Sequence, residues 1–262
     1  MSEVGPTYRG EPCTTMATGI QTHVGCCGFV VAQEQYFRLF KVIEIQQTFY
    51  QLPRLRTAEK WRKAAPDDFE FTLKAWQLIT HEPSSPTYRR LGTKIEPAEM
   101  GEYGSFRSTA AVKDAWARTA MFARALGAKI VVFQCPASFR ATKEHVGNLR
   151  AFFAGIDREG LQFAWEPRGA WPNRLVKDLC GELDLIHCVD PFRSEAQHGE
   201  IQYFRLHGVT GYQYRYNDGE LERLKRWVED KSTYVLFNNN WMKEDALRFL
   251  EMTGGGQISA DR

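Results

Sequence analysis

Short runs that mix apolar with polar residues recur along the chain, at 21-QTHVG-25, 41-KVIEIQ-46, 69-FEFTLKA-75, 128-AKIVVFQ-134, 161-LQFAWE-166, 184-DLIHCV-189, 201-IQYFRLH-207 and 233-TYVLFNN-239. Each has strand length and is rich in β-branched or aromatic residues, as strands of a buried parallel sheet are. Helical periodicity fills several gaps. The clearest cases are 108–127, with Ser108 as N-cap candidate and Gly127 at its end, and 142–160; shorter patterns run over 170–181, 219–230 and 241–253. Strands alternating with helices at this interval require crossover connections, which makes the fold class α/β with a parallel sheet.

Eight strands either close a ring or form an open sheet. Polar or charged residues finish many of the runs, which suits a TIM-barrel-like (β/α)8 ring whose C-terminal mouth collects side chains from every strand. Two irregularities are expected. The link 190–200 is too short for a full helix, and 80–105 forms a long loop after the third strand, a position where functional lids occur. The reading is one domain over 20–253, with flexible segments at 1–19 and 254–262.

Because side chains alternate along a strand, each run sorts into two faces. Ile43 and Ile45 face the helices, leaving Glu44 and Gln46 for the interior; Phe69, Phe71 and Leu73 leave Thr72 and Lys74. Likewise Phe163 and Trp165 leave Gln162, Glu166 and, beyond the strand, Arg168, while Phe204 and Leu206 leave Arg205 and His207. Gln134, Asp190, Asn238 and Asn239 arrive at the same level from other strand ends, and His81 enters from the long loop. A charge buried in a barrel carries a penalty of several kcal/mol, so these cations and carboxylates should sit near one another.

That grouping admits more than one chemistry. Glu44 and Glu166 can act as a carboxylate pair with His207 moving a proton, while Lys74, His81, Gln134, Arg168, Asp190, Arg205, Asn238 and Asn239 bind substrate. Alternatively, Glu44, Glu166, Asp190 and His207 hold a divalent ion in a phosphoesterase or nuclease, or the pocket binds a ligand without turnover, or the network is purely structural. Among the aromatics, Tyr212 and Trp171 are the candidates for stacking on a ligand ring.

Composition narrows the list. Thirty-four Lys and Arg against 32 Asp and Glu give a net charge of +2, which argues against a protein built mainly to coat nucleic acid but not against a local basic pocket, and the excess of convergent donors over carboxylates suits a small anionic partner. No membrane-length apolar stretch and no leader-like start occur, and the six cysteines lack C-x2-C spacing, so a cytoplasmic protein with reduced thiols is expected. Dinucleotide, P-loop, zinc-protease and serine-hydrolase motifs are missing, and no cofactor is assigned.

The ordered set 24-VGCCGF-29, 42-VIEIQQTFYQLP-53, Trp61, 69-FEFTLKAWQLITH-81, 133-FQCPASF-139, 166-EPRGAW-171, 203-YFRLHG-208 and 235-VLFNNN-240 resembles the YecE-like family, a domain of unknown function also called DUF72. The resemblance covers about Gly19 to Leu250. It implies a TIM-barrel-like fold with a deep polar pocket at the strand ends. The family pattern E-x-N-x-S/T-F-Y falls on Glu44, Gln46, Thr48, Phe49 and Tyr50, with glutamine where asparagine is usual. K-A-x-x-x-I/L-T-H falls on Lys74, Ala75, Ile79, Thr80 and His81; E-x-R-x-x-W on Glu166, Arg168 and Trp171; R-x-H-G on Arg205, His207 and Gly208; F-N-N on Phe237, Asn238 and Asn239. The first motif departs from the family's G-T/S-S-G-W/F, reading Gly25, Cys26, Cys27, Gly28 and Phe29. The working expectation is a hydrolase-like enzyme for a small anionic, phosphate-bearing or sugar-containing substrate.

Overall fold

The alternation read in the sequence becomes two separate layers of side chains in a computed structural model, which describes residues 19–254. The terminal segments assigned above therefore lie almost wholly outside the described residues. Eight parallel strands close into a barrel in sequence order: β1 (Thr22–Cys26), β2 (Val42–Ile45), β3 (Glu70–Lys74), β4 (Ala128–Gln134), β5 (Gln162–Glu166), β6 (Ile186–Val189), β7 (Gln202–Leu206) and β8 (Thr233–Phe237). β1 closes onto β8 in register from Thr22 with Thr233 to Cys26 with Phe237.

Nine helices surround the ring among the described residues: α1 (Gln33–Leu39), α2 (Gln47–Tyr50), α3 (Leu55–Ala64), α4 (Gln77–Thr80), α5 (Ala110–Leu126), α6 (Lys143–Ala154), α7 (Asn173–Glu182), α8 (Asp218–Trp227) and α9 (Met242–Met252). Ile43, Ile45, Phe71, Leu73, Phe163, Trp165, Phe204 and Leu206 join the layer packed against them. A smaller inner layer, with Val42, Ile130, Val132, Ala164, Cys188, Tyr203 and Leu236, fills the lower part of the barrel. The mouth above it is left to polar residues.

Helix ends follow local chemistry. Thr109, one residue beyond the expected Ser108, caps α5 by accepting from the Val112 N–H, and Gly127 ends it at φ 66°, where a side chain would be strained. Asn217 and Glu220 form a reciprocal capping box at α8. The short helices α1 and α3 carry too few core residues to declare themselves: α3 buries only Ala58 and Trp61.

Both irregularities are present. Residues 190–200 form no helix, and the insert after β3 contains only two 3-10 turns, Pro86–Arg90 and Pro97–Glu102. This insert is pinned to the barrel. The Tyr88 hydroxyl donates to the His81 carbonyl at 2.7 Å, Gly104 N–H donates to Leu78, Arg107 pairs with Glu82, and Leu91 and Phe106 are buried.

Candidate functional site

Arg205, fully buried on the inner face of β7, organises the mouth. Its Nε donates to both Glu44 oxygens at 3.1 Å and its Nη2 lies 2.9 Å from Oε1 of the same carboxylate. Its Nη1 donates to Glu166 at 2.5 Å and to Gln134 at 3.2 Å. Glu44 also accepts from the Tyr203 hydroxyl at 2.8 Å and from the Gln46 amide, and Thr72 Oγ1 lies 2.7 Å from the Tyr203 oxygen. Several donors on each carboxylate are what make two buried charges tolerable.

Glu166 continues the network toward solvent. Its second oxygen accepts from Arg168 Nε at 2.7 Å, and Arg168 Nη2 lies 2.7 Å from His207 Nε2. A guanidinium only donates, so Nε2 must accept, and a neutral His207 then carries its proton on Nδ1. That nitrogen faces Asp190 Oδ2 at 3.5 Å, and the same oxygen accepts the His207 backbone N–H. Burial, helped by Arg205 and Arg168, lowers the affinity of His207 for a proton, against the pull of Asp190 and Glu166. For Glu166, burial pushes the carboxyl up, but Arg205, Arg168 and His207 together hold it down at about 2. Gly208 follows at φ 84°, where a β-carbon would collide with the Gly211 carbonyl.

Lys74 stands apart from the carboxylates. Its Nζ donates to Gln134 at 2.9 Å and lies 3.8 Å from the centre of the Phe49 ring, and among the described residues no carboxylate oxygen comes within 4.0 Å. Burial and the neighbouring Arg205 bring it down to about 7, although Glu44 and Glu166 pull the other way. His81 is lowered further, to about 3, by burial, Lys74 and Arg168; its ring meets Phe49 edge-on and its Nδ1 lies 2.8 Å from Thr80 Oγ1.

A cavity of about 460 Å³ opens beside this network, walled by Glu166, Arg168, Asp190, Arg193, His207 and Tyr212. A second, about 220 Å³, lies over β1 and β2 against Gln46, Tyr50, Trp61 and Arg90. A larger one of about 610 Å³ is set at the other end of β5 to β7, where the helix between β6 and β7 is missing. Its Arg158 donates to the Leu183 carbonyl and lies 3.5 Å from Asp184, and its Lys231 donates to the Gly199 carbonyl.

The structure thus brings together Glu44, Lys74, Gln134, Glu166, Arg168, Asp190, Arg205 and His207, with His81 beside Lys74 and Tyr212, half exposed, at the rim. Three other candidates do not join that network. Asn239 turns to α9, donating to Asp245 and the Tyr214 carbonyl at 2.8 Å each. Trp171 donates to the Phe139 carbonyl and packs edge-on against Trp165, which makes it a buttress under the β5 loop. Asn238 ties its strand end to β7 through its backbone N–H on Leu206.

Residues missed in the sequence include Arg193 in the cavity wall and the buried thiols Cys27, 3.5 Å from Glu44, and Cys188, 4.0 Å from Glu166. Strand alternation carried the signal for Cys188, two positions before Asp190; Arg193 sits in an irregular link where no periodicity applies. The donor set does not fit a resident metal ion. Among the described residues no three acidic, histidine or cysteine side chains converge, and Arg205 occupies the space between the two glutamates.

The family model described as "Protein of unknown function DUF72" matches residues 33–254. The chain belongs to the DUF72 family. A curated relative of this DUF72 protein, the UPF0759 protein YunF of Bacillus subtilis, is 25% identical over 242 residues, covering 79% of this chain and 80% of YunF. Among solved structures, a DUF72 family protein from Enterococcus faecalis superposes with a TM-score of 0.68 at 20% identity, over 90% of this chain and 98% of that one. A D-psicose 3-epimerase determined in the presence of D-fructose reaches 0.53 at 12% identity, over 84% and 91% of the two chains, which shows a shared barrel fold. Among the described residues of the DUF72 protein, no helix is long and apolar enough to cross a membrane.

Proposed function

We propose that the barrel mouth binds a small anionic, hydroxylated molecule of the sugar phosphate or sugar acid type and acts on it as a hydrolase-like enzyme. The observation that carries this reading is Arg168. It spends two N–H donors on Glu166 and His207, yet its side chain is 33% exposed in the wall of the 460 Å³ cavity, so the remaining donors of the five are available to an anion. Arg193 shares that wall. A sugar belongs among the first compounds to try, because a D-psicose 3-epimerase uses the same architecture.

The geometry favours a division of labour different from a Glu44 and Glu166 pair. Glu44 is enclosed by Arg205, Tyr203 and Gln46 and positions Arg205. Glu166 borders the cavity and is ionised, which suits a base, a nucleophile or an electrostatic stabiliser, not an acid at neutral pH. His207 becomes a base once an anion draws Arg168 away from Nε2. The described cysteines are free and buried, which fits a reducing cytoplasm.

A second reading, binding without turnover, is favoured by the engagement of both glutamates by arginine. Thermal melts with phosphate, gluconate, glucose and glucose 6-phosphate separate these cases, with product formation followed by 31P NMR for glucose 6-phosphate and by 1H NMR for gluconate and glucose. Stabilisation by the anions, lost in Arg168→Gln, supports the site, and turnover lost in Glu166→Gln supports the enzyme. Binding without turnover of any of them favours the binder. No stabilisation by any anion overturns the reading.

A further inference from the structure

We propose that Lys74 is a nucleophilic amine that forms an imine with a small aldehyde or ketone admitted to the barrel mouth. Lys74 closes β3 on its inner face, level with the Gln134 end of β4. Its Nζ and Arg205 Nη1 donate to the same Gln134 oxygen, at 2.9 and 3.2 Å, so two cationic nitrogens stand on one neutral acceptor. Desolvation beside another cation is the setting that leaves a lysine uncharged and reactive near neutral pH. The contrast with Lys41 and Lys94 is direct, since these are exposed and paired with Asp68 and Glu96.

The surroundings keep the amine poised without stripping its proton altogether. The Phe49 ring face, 3.8 Å away, favours the ammonium, as do Glu44 and Glu166 from beyond direct contact; Arg205, Arg168 and burial favour the amine, and the balance lies at about 7. At the neighbouring position His81 is an uncharged imidazole.

The step balances without a cofactor. The Nζ lone pair adds to the carbonyl carbon and the C=O π pair moves to oxygen, which becomes the hydroxyl of a carbinolamine. A C=N bond then forms as the C–O bond breaks. Both amine protons depart with that oxygen as water. The imine is an electron sink for proton removal or carbon–carbon cleavage at the adjacent carbon, so the substrate class is an open-chain aldose, ketose or oxo acid. This inference stands on the surroundings of Lys74 and does not require the anion-binding reading.

The test is reductive trapping on the full chain at pH 7. Neutral glycolaldehyde and anionic glyoxylate are each supplied with sodium cyanoborohydride, and labelled lysines are mapped by peptide mass spectrometry. An amine titrating near 7 is half neutral there, whereas an ordinary lysine near ~10.4 is neutral in less than about one molecule in a thousand. Lys74 is therefore expected to label at least about a hundredfold faster than exposed Lys60 and Lys113, after allowance for slower entry to a buried site. Lys74→Met should lose that adduct alone. Labelling of Lys74 no faster than of Lys60 and Lys113 with both reagents overturns the proposal, and the wild-type map decides even if the variant does not fold. Rapid labelling by both reagents, without preference for glyoxylate, sustains the amine while counting against the anion site.

Discussion

Replacing Arg205 with methionine removes the cation lodged between Glu44 and Glu166 while keeping most of the side-chain volume. The loss falls unevenly. Glu166 retains Arg168 at 2.7 Å, but Glu44, fully buried, retains among the described residues only the Tyr203 hydroxyl, the Gln46 amide and the Cys27 thiol. Breaking a buried ion pair from one side costs roughly 3–5 kcal/mol, because a charge is left without compensation. Arg205→Met is expected in that range, read as a lowered midpoint in urea unfolding with an unchanged slope. Adding Glu44→Gln removes the orphaned charge, so the double variant should be more stable than Arg205→Met by about 1–2 kcal/mol. A single variant within about 1 kcal/mol of wild type, or a double variant no better than the single one, would refute the view that a dry ion network holds the mouth.

Other consequences are as specific. Glu166 is held at about 2 against an unfolded value near ~4.3, so its contribution is fully present above the unfolded value and is lost as pH falls through the folded one. The difference in unfolding free energy between wild type and Glu166→Gln should shrink by on the order of 3 kcal/mol between pH 4.5 and 2, and a constant difference would count against the assignment. Lys74 shifts in the same direction, the reverse of a cation that gains a partner: its folded value is below its unfolded one, so the unfolded chain binds more protons between about 7 and ~10.4 and folding gains stability as pH rises through that window. Lys74→Met should therefore be the more stable protein at pH 7, with its advantage shrinking toward pH 10 in matched melts. Arg168→Gln should raise the His207 pKa, measured by 15N NMR titration, since it removes both a donor on Nε2 and a nearby cation; no upward movement would exclude the Arg168 contact. Asn239→Ala should cost about 1–3 kcal/mol by stripping a donor from buried Asp245, while leaving any anion-induced rise in Tm unchanged.

Period-two alternation in runs such as 42-VIEI-45 and 201-IQYFRLH-207 was enough to separate helix-facing from inward-facing residues, because adjacent side chains on a strand have no choice but opposite faces. Eight such runs with intervening helical patterns determined a parallel α/β ring, and the ordered motifs determined the family. The same alternation assigned Glu44, Lys74, Glu166, Arg205 and His207 to the mouth. It says nothing about pairing across the ring, where Glu44 and Glu166 share the guanidinium of Arg205, 161 positions beyond Glu44, nor about Lys74 receiving no carboxylate at close range among the described residues. Past the strand ends the rule lapses. There, local hydrogen bonding turned Asn239 to Asp245, set Trp171 against Trp165 and brought Arg193 into the cavity wall. The sequence by itself determined the ring and which side chains reach its mouth. The tertiary structure decided which charges neutralise one another, because that depends on distances between strands that are neighbours or opposites only after the barrel has closed.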